Sequence, residues 1–329
     1  LSPGPIHKRT TYHETPMTTN TARPPAPLAA ADLRIAVGRR RRERLIRGLF
    51  LGAAALSVVI SIAIVFSLLG NALYFLINVD KDALLADGWF PRRGLYDIAT
   101  ILAGTLIISG VAMIVATPLG LGAGIYLSEY AGPRTRRFLK PSLEILASIP
   151  SVVLGFFALT WISPNIVQPL TGAPLSNMAA AGLAVGILIT PLIASISEDA
   201  MHAVPAYLRE ASYGLGARKR TTSLEVVFPA AISGIVAALL LGFSRAIGET
   251  MIVSIAAGGT GGSLFELSPF EPGQTMTAAM TALAIGSDSV RGAELTFESL
   301  FFVGMLLFLI TLGLNLISDA FVRRVRRQY

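Results

Sequence analysis

Six stretches of this chain are too apolar and too long for a water-soluble core. Leu49 to Leu69 is the first, and runs at about 98–123, 143–162, 179–198, 231–257 and 297–318 follow. A helix needs roughly 20 consecutive apolar residues to cross a hydrocarbon layer about 30 Å thick, and inside that layer every backbone N–H and C=O must be bonded within the segment. Repeated runs of this length commit the chain to an all-α polytopic membrane protein with about six transmembrane helices. Composition agrees, because 53% of the residues are hydrophobic and only 14% charged, where soluble domains carry about 25% charge.

Basic residues collect at the ends of these runs, at Arg39–Arg47, Arg134–Lys140, Arg209–Arg220 and Arg323–Arg327. Placing those clusters in the cytoplasm puts both termini inside. The outer loops 163–178 and 258–296 then hold a single basic residue, Arg291, and only 80–97 is mixed, with Lys81, Arg92 and Arg93 among four aspartates. The formal charge of +7 is thus a matter of topology and of anionic lipid headgroups, since no aromatic or groove-reading pattern accompanies it to suggest nucleic acid. Residues 1–44 are expected to be a disordered basic cytoplasmic tail, most clearly over the Pro-, Thr- and Ala-rich 1–33, with residues 45–329 forming the transmembrane domain. The apolar run after Arg47 exceeds the h-region of a signal peptide and no small-residue cleavage site follows it, so it is expected to be retained.

Several catalytic classes are excluded. Cysteine is absent and the three histidines, at 7, 13 and 202, have no metal-site spacing. No lysine follows a glycine, so the glycine-rich Gly258–Gly262 is not a phosphate-binding P-loop. Beyond it, Met276, Met280 and Leu283 form a stripe that predicts a helix over 275–285 lying on or dipping into the outer face. Pro118, Pro150 and Pro191 interrupt the second, third and fourth spans, as packing kinks or as hinges.

Between the fourth and fifth spans lies a polar segment of about 200–230. After Pro205, the positions Leu208, Ala211, Ser212 and Leu215 repeat as one helical face, Gly216 suits a left-handed C′ position, and Thr222 with Glu225 reads as a capping box opening a second helix that Pro229 closes. Glu210-Ala211-Ser212, Gly216 after three residues and Val226-Val227-Phe228-Pro229 after nine more resemble the "EAA" loop of ABC importer permeases, with Ser for Ala, Val for Ile and Phe for Leu as departures. The resemblance implies that this loop docks into a cleft of an ATPase subunit, with Glu210, Ala211, Ser212, Gly216 and Pro229 as coupling residues.

The fifth span carries two charges, Arg245 and Glu249. Counted from Ile232 at 1.5 Å per residue, Arg245 lies about 20 Å into the membrane, and a charge at that depth is a functional-site hypothesis. The i, i+4 spacing puts the two on one helix face, either as a structural pair or along a substrate path. A guanidinium offers a planar fork of donors suited to a tetrahedral oxyanion.

The phrases TPLGLGAGIYLSEY (117–130), SIPSVVLGFFAL (148–159), SISEDAMHAVP (195–205) and above all RAIGETM (245–251) resemble the phosphate permeases of that family, closer to the PstC-type than to the PstA-type member. The resemblance covers about 45–329 and implies a type I importer fold, with Arg245 and Glu249 in phosphate passage. It implies no cofactor on this chain, with ATP and Mg held by the ATPase. The implied partners are a homologous second permease subunit of PstA type, two copies of a cytoplasmic ATPase subunit and an extracytoplasmic phosphate-binding protein, in a bacterial cell membrane. The alternatives are a permease for molybdate or sulfate and an ATP-independent anion channel. An intramembrane enzyme is weaker, because no Ser/His, Ser/Lys or metal-ligand set lies at membrane depth.

Overall fold

The structure, a computed structural model, describes residues 37–259, 261–285 and 295–326. The expectation of disorder over 1–36 and the charge of Arg291 fall outside these residues. Two units divide the chain, residues 1–61 and 62–329. In the first, the described part is the start of helix α1 (Val37–Asn78), whose residues 42–61 are all exposed. That helix already contains Arg39–Arg44, so helical structure begins inside the segment assigned to the tail: residues with long unbranched side chains keep good helix propensity.

In the second unit the helices are α2 (Ile98–Tyr130), α3 (Pro133–Ala147), α4 (Ser151–Thr171), α5 (Met178–His202), α6 (Ala206–Gly214), α7 (Lys219–Ala230), α8 (Ile232–Ile247), α9 (Met251–Ala256), α10 (Met276–Ile285) and α11 (Thr296–Arg326). Among the described residues five helices are long and apolar enough to cross a membrane, α1, α2, α4, α5 and α11; α7 and α8, bent by 71° at Ala231, make a sixth if taken as one broken span.

The third span is displaced from the predicted 143–162. Pro150 caps α4 and has no N–H with which to continue the helix before it, so 143–147 belong to α3 and the span runs on to Thr171. Residues 163–171 of the expected outer loop are accordingly helical. In α3, Arg136, Leu139, Lys140, Leu143 and Ala147 form the half-buried stripe of an amphipathic helix.

Helices α2 and α5 form the centre. A β-carbon built on Gly182 would lie 2.7 Å from Val111 Cβ, and one on Gly186 would lie 2.9 Å from the Ala112 carbonyl oxygen, so α5 approaches α2 as closely as backbone allows. Both helices run through their prolines, Pro118 and Pro191. Around this pair Ile108, Ala112, Leu154, Ile162, Ile189, Ile193 and Ile252 make the main core.

A smaller core at the end opposite the basic loops joins Phe75, Trp89, Tyr96, Ile101, Met276, Leu283 and Val303. There β1 (Trp89–Phe90) and β2 (Leu95–Tyr96) pair antiparallel, a hairpin too short to appear as alternation in the sequence. Trp89 also exchanges backbone hydrogen bonds with Ser263, at 2.8 and 3.1 Å. The expected helix after the glycine run is α10, with Met276 and Leu283 buried and Met280 half-buried. Thr105 Oγ1 accepts its first amide, Met276 N, at 3.0 Å.

Candidate functional site

The fifth span is broken within its apolar stretch. Helix α8 ends at Ile247, a tighter turn follows in which Glu249 N–H donates to Ala246 O at 3.2 Å, and α9 restarts at Met251. Glu249 is outside both helices. Its Oε1 accepts from Met251 N at 3.2 Å and Ile252 N at 3.4 Å, covering amides that a helix start leaves unpaired. Its carbonyl accepts from Thr277 Oγ1 at 2.7 Å, which ties the break to α10.

This corrects the expected arrangement of one helix face with Arg245 and Glu249 a turn apart. The turn through Gly248 removes the i, i+4 register, and among the described residues no ion pair or hydrogen bond holds the Arg245 guanidinium. Arg245 sits in the last turn of α8, a position favourable for a cation beside the negative helix end, and its side chain is exposed on the single chain; Glu249 is half-buried.

At the basic end, α6 and α7 form the helix, glycine, helix unit. Pro205 caps α6, and Gly216 has φ of 81°. Ala217 N–H donates to Ser212 O at 3.1 Å and Gly216 N–H to Tyr213 O at 2.9 Å, the paired bonds that close a helix through a left-handed C′ residue. The capping box does not form. Helix α7 starts earlier, after Arg218, so Thr222 lies inside it with helical backbone, and its buried hydroxyl pairs instead with Ser212 Oγ at 2.8 Å. Glu225 is exposed.

The face of α6 also differs from the expected one: Leu208 and Ser212 turn inward while Ala211 is exposed and Leu215 is 90% exposed. Glu210, Gly216 and Pro229 are exposed too, so the loop presents Glu210, Tyr207, Tyr213 and Leu215 away from its own chain. The helix closed by Pro229 ends one residue later, at Ala230.

Sequence reasoning missed two ionic clusters at this end, one holding this unit to the span ends and one joining α3 to α5. Arg209 donates to Glu129 at the end of α2, at 2.8 Å, and to the Met201 and Val204 carbonyls at the end of α5, at 2.8 and 2.6 Å. Glu198 of α5, 0% exposed, pairs with Arg136 and, at 2.6 Å, with Lys140, both on α3; Lys140 also reaches Asp199 at 2.6 Å. Burial works to lower the Lys140 pKa, but the bonds from Asp199 and Glu198 outweigh it and raise the value above that of a free lysine. The only signal was the acidic pair Glu198-Asp199 at the end of an apolar run facing basic residues about 60 positions earlier.

A span broken at a charged turn and a helix, glycine, helix unit clamped to the span ends can be compared with known proteins. Residues 116–327 match the model of the binding-protein-dependent transport system inner membrane component. This chain belongs to that family. The match includes α5 to α9 and both ionic clusters' acidic partners.

Members similar to this one include the phosphate transport system permease protein PstC of Pasteurella multocida, 33% identical over 73% of this chain and 79% of that protein. PstC 1 of Mycobacterium tuberculosis is 31% identical over 76% of this chain and 79% of its own. Among solved structures, a chain of a bacterial ABC transporter involved in import of the acidic polysaccharide alginate aligns over 87% of this chain and 99% of its own, with a TM-score of 0.59 and 14% identity, a likeness of fold. As a family member with several apolar spans, the chain is a multi-pass inner membrane component of a transporter. Membership implies in general a substrate-binding protein, an ATPase and a partner permease.

Proposed function

We propose that this chain is the transmembrane subunit of an ATP-driven phosphate importer, pairing with a PstA-type permease and coupled through α6 and α7 to a separate ATPase. The observation that carries the reading is Arg245: a charge roughly 20 Å along α8, exposed on the single chain and held by no carboxylate among the described residues. Intramembrane cations face a bundle interior or a water-filled path, so this face is the one a partner permease covers. The relatives named as phosphate permeases supply the substrate class. With the basic loops in the cytoplasm, both termini are inside and the hairpin end is outside.

In this reading Arg245 offsets the cost of desolvating the anion, and Glu249 discriminates. Its Oε1 is turned to the α9 amides, leaving Oε2 to accept the O–H of protonated phosphate and to repel sulfate, which has no proton to donate. Arg245→Gln is expected to abolish phosphate uptake by the full complex, since an uncharged amide cannot compensate a desolvated anion. Glu249→Gln keeps an acceptor for the cap and should admit sulfate as a competitor. Co-purification of all subunits controls for assembly. Normal phosphate uptake by Arg245→Gln would overturn the role of the arginine, and uptake of molybdate or sulfate in preference to phosphate by the unaltered complex would overturn the substrate.

A further inference from the structure

Two threonines at the start of α10 hold the break in the fifth span from behind. Thr277, 6% exposed, donates from Oγ1 to the Glu249 carbonyl at 2.7 Å. A hydroxyl has one proton to give. With that proton on Glu249, the 3.0 Å contact between the Thr275 and Thr277 hydroxyls runs one way, with Thr275 donating and Thr277 accepting. Thr275, 2% exposed, stands immediately before α10, and its Oγ1 accepts from Ala278 N–H at 3.1 Å, the bond of an N-cap residue to the third helical amide. Three hydrogen bonds therefore point in one direction, from the Ala278 amide through two buried hydroxyls to the Glu249 carbonyl. In such a chain each bond polarises the next.

The chain starts from a fixed base. Met276 N–H donates to Thr105 Oγ1 of α2 at 3.0 Å, and Thr105 gives its own proton to the Ile101 carbonyl at 2.7 Å. Met276, Ala279 and Leu283 are buried in the outer core with Trp89, Tyr96 and Ile101. Helix α10 is thus tied to α2 by a hydrogen bond and to the hairpin by apolar burial, and it reaches the break through Thr277.

At the break Glu249 is held on two sides, its carbonyl by Thr277 and its Oε1 by the Met251 and Ile252 amides. Fixing the backbone and one carboxylate oxygen restricts the direction of the other, Oε2. The two amide contacts, at 3.2 and 3.4 Å, stand at and beyond the long end of the ordinary range, so they hold the carboxylate less firmly than the 2.7 Å bond holds the backbone behind it.

We infer that Thr277, oriented by Thr275, is the positioning residue for Glu249 and sets the direction from which Oε2 meets the oxyanion. The inference rests on the phosphate-importer reading above, in which Glu249 tells protonated phosphate from sulfate. Thr277 acts through the carboxylate and not on the anion. It is tested on the full complex, reconstituted with its ATPase and substrate-binding protein, by phosphate uptake with and without excess sulfate, with co-purification of all subunits as the control for assembly. Thr277→Val keeps the shape and removes the proton donor, so discrimination should fall on the order of tenfold, the upper worth of one neutral hydrogen bond. Thr277→Ser should retain discrimination, and Thr277→Cys, with a weak S–H donor, should fall between the two. Added to Glu249→Gln, Thr277→Val should cause no further loss, because the group it positions is already changed.

Thr277→Val discriminating as well as the unaltered complex while Glu249→Gln does not, or losing as much again in the Glu249→Gln background, would overturn the positioning role and leave the importer reading standing. If Thr277→Val does not assemble, Thr277→Cys against Thr277→Ser decides, and equal discrimination by those two would overturn the role. Full discrimination by Glu249→Gln would overturn the part assigned to Glu249 and this inference with it.

Discussion

Removing charge from the α3–α5 clamp should destabilise it to different degrees on its two sides. Glu198 is 0% exposed, whereas the side chains of Arg136 and Lys140 keep 30% and 27% of their exposure. Glu198→Gln therefore leaves two cations that turn to water, and the loss is that of charge-assisted hydrogen bonds, about 1.5–3 kcal/mol. Arg136→Met with Lys140→Met instead strands a carboxylate with no water, which costs about 3–5 kcal/mol. Adding Glu198→Leu to that pair removes the stranded charge and should recover most of the difference. The four complexes are compared by thermal unfolding in detergent, followed by loss of the co-purifying assembly. If the double cation variant is no less stable than Glu198→Gln, or the triple variant no better than the double, Glu198 is not held by ionic contact and the clamp reading is wrong.

The C′ glycine and the clamp lysine give two further outcomes. A β-carbon at Gly216 would meet nothing within 4 Å, so Gly216→Val costs conformational energy alone, about 1–2 kcal/mol, and should lower stimulation of the partner ATPase without unfolding the spans; Gly216→Asn should be tolerated, and equal stimulation in the Val variant would make the loop a mere connector. Lys140 has a folded pKa raised above the ordinary 10.5, so its contribution is complete below that value and is lost as pH rises through the folded value. The stability difference between the unaltered complex and Lys140→Met should be constant near neutrality and shrink only in strongly alkaline buffer; a change between about pH 6 and 8 would assign the effect to another group.

The spans were legible because the bilayer imposes length and polarity together. The third shifted and the fifth is broken, and for the third the reason is local. Leu143 to Ala147 are as apolar as a span, but they follow Arg136 and Lys140 on an amphipathic face and end at a proline that caps the next helix. Hydropathy alone does not distinguish the apolar side of a surface helix from the start of a span. The Gly216 turn was legible for the opposite reason, since a left-handed residue is a single-position requirement that one glycine meets. The Thr222–Glu225 capping box failed because the same residue types serve another purpose: Thr222 is more valuable inside α7, where it satisfies Ser212, than as a cap.

The break at Gly248 to Thr250 was hidden by continuity of composition. Apolar residues lie on both sides, so a helix counted at 1.5 Å per residue passes through without resistance. What interrupts it is that Glu249 can bond the Met251 and Ile252 amides while its carbonyl receives the Thr277 hydroxyl, so a half-buried break replaces hydrogen bonds that the helix gives up. That second contact comes from 28 residues downstream, and no local pattern contains it. The consequence reaches the charges. A continuous helix would fix Arg245 and Glu249 as neighbours that neutralise each other, whereas here the guanidinium stands at the end of α8 with no carboxylate paired to it among the described residues, and one oxygen of Glu249 is spent on the restart of α9. In the proposed phosphate path, this separation is what would leave Arg245 available to an anion, and it follows from backbone bonding around one glycine and one glutamate.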